Sequence, residues 1–143
     1  MTTVQHLLYM KGHAVWSISP DATVYDALQL MAAQNIGAVL VLEAGKLVGI
    51  LSERDYARKV VLHGKSSLET PVRDIMTRKV YYIQPEQSVT ACLAQMTDKR
   101  IRHLPVLDDG QVVGVISLGD AVKWIIADQQ VLIDQLEHYI VSS

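Results

Sequence analysis

The amino-acid sequence predicts a mixed α/β (α+β) fold: two βαββα repeats related by a pseudo-two-fold axis, followed by an extended C-terminal helix. Three observations carry that reading. A heptapeptide is written twice, as GILSERD at Gly49–Asp55 and GVISLGD at Gly114–Asp120, 65 residues apart. The register around it holds without a gap: over residues 15–57, 14 of 43 positions are identical to the residue 65 further on, where composition alone gives about three. Each copy also carries the same order of patterns, an extended segment ending in proline, an apolar stripe of helical period, then two β-branched runs split by a glycine-containing turn.

Composition narrows the function classes. The chain has 143 residues, enough for one compact domain or two small halves sharing a core. Half of it is apolar and a fifth is charged, so a core can form. A net charge of −2 argues against nucleic acid as a main partner, because phosphate-backbone binding calls for a basic surplus. The single cysteine, Cys92, excludes an intrachain disulfide and shares a helix face with Val89, Leu93 and Met96, which marks it as a core residue. No apolar run reaches membrane-span length and the N-terminus has no signal-peptide core, so a soluble cytoplasmic protein is expected. His6, His13, His63 and His138 lack metal-ligand spacing, and no metal site is expected.

Taken in order, residues 3–10 place Val4, Leu7 and Leu8 on one face of a short helix that Gly12 ends. Residues 13–19 alternate through Val15, Trp16 and Ile18 into Pro20, an extended pattern. Thr23 is placed to cap a helix, with Asp26 three residues later, and Val24, Ala27, Leu28 and Met31 recur at helical spacing to about Gln34. Residues 36–51 form a hairpin about Glu43–Lys46, apolar enough in both strands to be covered on both faces. A helix with Tyr56, Val60 and Val61 follows Ser52 and ends near Gly64. The polar connector at 65–70 divides the chain into 1–64 and 65–143.

Pro71 opens a short helical turn at 71–77, and the pattern then recurs. Ser88 takes the place of Thr23 as cap, a helix runs over 89–98, and a hairpin turns at Asp108–Gln111. The last helix, Leu118 to about Val141, continues well past the point where the first copy stops. Val122, Ile125, Ile126, Ile133, Leu136 and Ile140 give it an apolar stripe, expected to pack on the shared core or on a second chain. A unit of roughly 45 residues has too few strands to close a core alone. Pairing two about an approximate two-fold axis solves this and leaves equivalent clefts between them.

The repeated S-x-x-D has two readings. As a capping box it satisfies free amides at a helix start and nothing more. Against that being all, Asp is shorter than the usual Glu or Gln, and Gly49 and Gly114 sit inside strands, where glycine is a weak choice unless something approaches closely. A carboxylate at a helix start can accept two hydrogen bonds from a ribose diol, and free amides there can meet a phosphate.

The ordered set P-x-x-(S/T)-V, apolar hairpin, G-h-h-S-x-x-D, repeated in register from about Gly12 to Ile126, resembles a tandem pair of cystathionine-β-synthase (CBS) domains, a Bateman module. The resemblance implies one CBS repeat in each half and clefts that bind adenine nucleotides such as AMP, ADP, ATP, NAD or S-adenosylmethionine. It also implies association of two modules into a flat, disc-like homodimer. Carried over by position, Asp55 and Asp120 would hold ribose hydroxyls, and Ser52 and Ser117 would contact ribose or phosphate. Thr23 and Ser88 would lie nearby at helix starts. Gly37, Ala38 and Val39 in one copy, and Arg102, His103 and Leu104 in the other, would offer backbone groups to the adenine edge. Ile18 and Ile83 would pack on the base.

The copies differ in charge. KRIRH at Lys99–His103 stands where the first copy has QNIGA. Lys99 and Arg100 read as a solvated helix end, favourable for cations. Arg102 and His103 lie inside the strand run, and the resemblance assigns them to nucleotide phosphate; in the first copy Arg54 and Arg58 follow Ser52 and are expected to face phosphate, where the second copy offers Gly119 and Lys123. Two unlike sites are therefore expected, with AMP preferred, then ATP or ADP, then NAD, and S-adenosylmethionine behind because basic residues suit an anionic tail. The sequence shows no phosphate-cradling glycine loop and no nucleophile with a base, so an enzyme with a catalytic cofactor is not expected. A nucleotide-binding regulatory module acting on a separate protein target is the first reading. A ligand-independent dimerisation and interaction module is the second.

Overall fold

The computed structural model describes residues 2–142, and among them the repeated patterns fold as repeated elements. The order is α1 (Val4–Lys11), β1 (Ser17–Ile18), α2 (Val24–Gln34), β2 (Ala38–Glu43), β3 (Lys46–Ser52), α3 (Glu53–Tyr56), a π-helical turn (Ala57–Val61), α4 (Val72–Ile75), α5 (Val89–Lys99), β4 (His103–Asp108), β5 (Gln111–Ser117) and α6 (Leu118–Ser142).

The hairpins follow from their turns. Ala44 and Gly45 have φ of 52° and 77°, and Asp109 and Gly110 have 51° and 78°, the positive pair that a two-residue hairpin loop needs to match strand twist. Each hairpin carries an irregularity at the equivalent place, between Val41 and Leu42 and between Val106 and Leu107. Beyond the hairpins the sheets diverge. In the first repeat β1 pairs with β2 in parallel, using Leu40 N–H to the Trp16 carbonyl. In the second, Pro105 stands at the position of Leu40 and has no N–H to donate. There the partner of β4 shrinks to a single parallel bridge, Ile83 to Val106.

The chain divides into two compact units, residues 15–81 and residues 1–14 with 82–143. Helix α1 thus belongs in space with the second repeat, and the 66–81 stretch with the first. Three backbone hydrogen bonds show how each leading segment docks. Val89 N–H reaches Thr2 O (3.0 Å), Val4 N–H reaches Gln87 O (2.8 Å) and Gln5 N–H reaches Pro85 O (2.9 Å). Their counterparts are Val24 to Thr70 (2.9 Å), Val72 to Ala22 (2.8 Å) and Arg73 to Pro20 (2.9 Å). The leading segments are therefore a second repeat, offset by 68 residues instead of 65, which pairs Thr2 with Thr70, Val4 with Val72, Leu7 with Ile75 and Leu8 with Met76.

Each unit closes its core with that segment. In residues 15–81, Val72, Ile75 and Met76 pack with Val24, Ala27, Met31, Val39, Val41, Leu51 and Val60. In the other unit Val4, Leu7, Leu8, Cys92, Met96, Leu104, Val106 and Ile116 are buried. Among the described residues no helix is long and apolar enough to cross a membrane.

Candidate functional site

Both serine–aspartate pairs sit where a hairpin's second strand meets a helix. Strand register puts Ala38 opposite Ser52 and His103 opposite Ser117. The first helical amide then donates back to the neighbouring strand start: Glu53 N–H to Gly37 O (3.0 Å), and Leu118 N–H to Arg102 O (2.7 Å). This crosslink fixes the angle at which each helix leaves its sheet, so the loop geometry is the same in both copies.

The pairs are capping boxes. Asp55 N–H donates to Ser52 Oγ (3.2 Å) while Ser52 N–H donates to Asp55 Oδ2 (3.0 Å). Asp120 N–H donates to Ser117 Oγ (3.1 Å) and Ser117 N–H to Asp120 Oδ2 (2.9 Å). Aspartate is long enough to reach back in both. Thr23 with Asp26 forms a third such box, and Ser88 Oγ accepts from Ala91 N–H as the cap of α5. Thr23 and Ser88 are bridged to Pro71 and Thr3, at the docked leading segments.

Beyond the caps the two carboxylates part company. Asp55 is nearly buried, with 11% of its side chain exposed, and its second oxygen is taken as well. Oδ1 accepts from Thr77 Oγ1 (3.0 Å) and pairs with Lys59 Nζ (3.0 Å), which also donates to Ile75 O. Asp120 is 28% exposed, and Lys11 Nζ meets it on Oδ2, the oxygen already used by the cap, while donating also to Val115 O. Among the described residues no hydrogen bond reaches Asp120 Oδ1. Burial pushes the Asp120 carboxyl up, but Lys11 and the Ser117 N–H and hydroxyl outweigh it and hold the group below its ordinary range. Asp120 is therefore an ionised acceptor with one oxygen to offer.

The strand glycines have a reason in the protein itself. A methyl group at Gly49 would lie 2.6 Å from Met76 Sδ and 3.1 Å from the Thr77 carbonyl oxygen; one at Gly114 would lie 2.6 Å from Leu8 Cδ2. The close approach expected of a ligand is made instead by the docked leading segments.

The other expected positions scatter. Arg102 is exposed and His103 half-buried at the start of β4, in the unit that holds Asp120; Arg54 and Arg58 are exposed around the turn after Ser52. Ile18 is half-buried, as are Gly37 and Ala38. Ile83, Val39 and Leu104 are at most 1% exposed, so their side chains serve the core. Arg100 is the C-cap of α5 in a left-handed conformation, the place that Asn35 takes at the end of α2. Lys59, Lys11 and Thr77 escaped the sequence reading. Lys59 stands four residues after Asp55 and was legible from helical spacing; Lys11 was not, because only folding brings it to Asp120. Among the described residues no group of three or more His, Cys, Asp or Glu side chains can hold a metal ion.

Fold and loops define a duplicated α/β module whose distinctive polar points are helix-start carboxylates. The CBS domain family model matches residues 9–62 and 72–127, and the chain belongs to that family as a tandem CBS pair, a regulatory module. The chain is 38% identical over 149 residues to the mitochondrial CBS domain-containing protein CBSX3 of Arabidopsis thaliana, covering 97% of this chain and 72% of that protein. It is 35% identical over 106 residues to CBS domain-containing protein YhcV of Bacillus subtilis, covering 74% and 75%. Among solved structures, the CBS domain protein NE2398 aligns with a TM-score of 0.85 at 53% identity, over 87% of this chain and 98% of that one. The CBS domain pair of MJ0100, in complex with 5-methylthioadenosine and S-adenosyl-L-methionine, aligns with a TM-score of 0.80 at 25% identity, over 90% and 98%.

Proposed function

We propose that this protein is an adenine-nucleotide sensor whose stronger site is built on Ser117 and Asp120, and that it passes occupancy to a separate protein target. One observation carries the reading: Asp120 presents an ionised carboxylate with Oδ1 available, on a loop that meets the start of β4, where Leu118 N–H donates to the Arg102 carbonyl and Ser117 pairs with His103. A ribose hydroxyl can donate to Oδ1 without dismantling the cap, and the Arg102 cation at the same strand start suits a phosphate. Asp55 has both oxygens engaged, so a ligand there must first displace Thr77 or Lys59. Both copies of the motif are then structural caps, and one of them is also a ligand site. That the MJ0100 pair takes up two adenosine compounds supports adenosine as the shared recognition element. The basic pair on this chain favours an anionic tail, hence AMP first, then ATP or ADP, then NAD, with S-adenosylmethionine behind.

A second reading, a ligand-independent interaction module, is favoured by the completeness of the Asp55 cap. A thermal-shift screen of the full chain against AMP, ADP, ATP, NAD, NADH and S-adenosylmethionine separates the two. A native-state ligand at about a hundred times its dissociation constant stabilises by roughly 2.7 kcal/mol, which moves the melting temperature by several degrees. A dose-dependent rise with one nucleotide supports the sensor; no shift at millimolar concentration of any of them supports the interaction module.

A further inference from the structure

We propose that Lys11 is a specificity-determining residue of the Asp120 site: its ammonium and Asp120 Oδ1 together read two neighbouring hydroxyls, so that the site distinguishes a ribose from a deoxyribose. This rests on the reading of Asp120 as a nucleotide site. Lys11 comes to that site from outside the repeated motif. Where the first repeat has Lys59 the second has Trp124, and the cation arrives instead from the last turn of α1.

The two lysines are held alike and differ in what they leave open. Each ammonium lies between a cap carboxylate and a backbone carbonyl: Lys59 between Asp55 and Ile75 O, Lys11 between Asp120 and Val115 O. Lys59 sits on Oδ1, the oxygen outside the cap, where Thr77 also donates, and that carboxylate is full. Lys11 sits on Oδ2, the oxygen that the cap already uses, and Oδ1 stays open. An ammonium has three protons, and among the described residues Lys11 directs two of them, to Asp120 and Val115. With 34% of its side chain exposed, Lys11 is open to a ligand for the third.

One ion pair thus offers a hydrogen-bond donor and an acceptor side by side. An ionised phosphate only accepts, so it could use Lys11 but not Oδ1. Two adjacent hydroxyls use both: one donates to Oδ1 and its neighbour accepts from Lys11 Nζ. The vicinal diol of a ribose is such a pair. Both protein groups are charged, so each bond is stronger than a neutral one, and removing a hydroxyl leaves a charged group unmatched. Lys11 ends α1 and Asp120 lies in the first turn of α6, so a ribose held by both adds a tie between these helices. Linkage then requires that the docking of α1 strengthen binding in return.

The test is a calorimetric titration of AMP, 2′-deoxy-AMP and 3′-deoxy-AMP into the full chain as wild type, Lys11→Met and Lys11→Arg, with circular dichroism as a check on folding. The wild type is expected to bind at least one deoxy compound roughly tenfold more weakly than AMP. Lys11→Met should bind AMP roughly 5-fold more weakly than the wild type and lose its preference over that compound, while Lys11→Arg keeps it. At saturating AMP, amide exchange in α1 should slow more in the wild type than in Lys11→Met. A lysine that only holds α1 in place would weaken all three nucleotides alike in Lys11→Met; that result would overturn the proposal and leave the Asp120 site standing. Unchanged AMP binding in Lys11→Met, equal protection of α1 in the two proteins, or a wild type indifferent to both missing hydroxyls would overturn it too. A wild type that binds no AMP overturns it together with the reading on which it rests.

Discussion

Lys11 Nζ rests on Asp120 Oδ2, tying the last turn of α1 to the first turn of α6. The equivalent aspartate, Asp55, takes its lysine from its own helix, four residues on. The same cap is thus neutralised from within its own helix in one repeat and by a distant segment in the other, while Lys59 still reaches its docked segment through the Ile75 carbonyl.

Replacing Lys11 by Met removes that tie at little cost, because both groups are partly exposed and such pairs contribute about 1 kcal/mol or less. The pH dependence is more telling. Asp120 is held below its ordinary value of 3.8, so the stability it adds is present above that value and lost as pH falls through the lower folded value. Urea unfolding at about pH 6 and about pH 3 is expected to show a smaller acid loss in Lys11→Met than in the wild type.

The strand glycines predict a coupled pair. Gly114→Ala drives a methyl group into Leu8, which is 1% exposed and held on all sides, at an expected cost of about 1–3 kcal/mol. Leu8→Ala alone costs about 2–5 kcal/mol. Together they should cost clearly less than their sum, since the truncated side chain vacates the space that the methyl needs; additivity in a double-mutant cycle would contradict the packing described.

Gly49→Ala should not be rescued in this way. Its methyl meets a backbone carbonyl, that of Thr77, as well as Met76. Met76→Ala is therefore expected to leave much of the Gly49→Ala loss, of about 1–3 kcal/mol, in place, as urea midpoints of the two single variants and the double would show.

Cys92 is fully buried, and burial first, then the charge of Asp120, pushes its thiol up to about 11. The neutral thiol is a poor nucleophile. Labelling with a thiol reagent near neutral pH should be slow in the native protein and fast in denaturant, with a rate that follows global unfolding.

Much of this was legible in the sequence because local rules and the repeat agreed. The helix caps at Thr23, Ser52, Ser88 and Ser117 and both glycine turns stand where their residue types put them. The leading segments were not legible as a repeat. Their offset of 68 breaks the register of 65, and between residues 2–11 and 70–79 identity is limited to Thr2 with Thr70, Val4 with Val72 and Lys11 with Lys79. That gap also hid the purpose of Gly49 and Gly114, whose neighbours arrive from segments far along the chain. At the site, spacing marks Ser117 and Asp120 but not the difference between Asp120 and Asp55, which lies in where Lys11, Lys59 and Thr77 place their donors. Pro105 was visible, yet its consequence, a first strand reduced to one bridge, shows only beside Leu40.

The most direct measurement is a calorimetric titration of AMP into the wild type, Asp120→Asn and Asp55→Asn. Asparagine keeps an acceptor for the cap in each case while removing the charge. We expect binding to the wild type, a loss of at least about tenfold in Asp120→Asn, equivalent to about 1.4 kcal/mol, and little change in Asp55→Asn. Equal losses in the two variants, or a larger loss in Asp55→Asn, would contradict the assignment of the stronger site to Asp120.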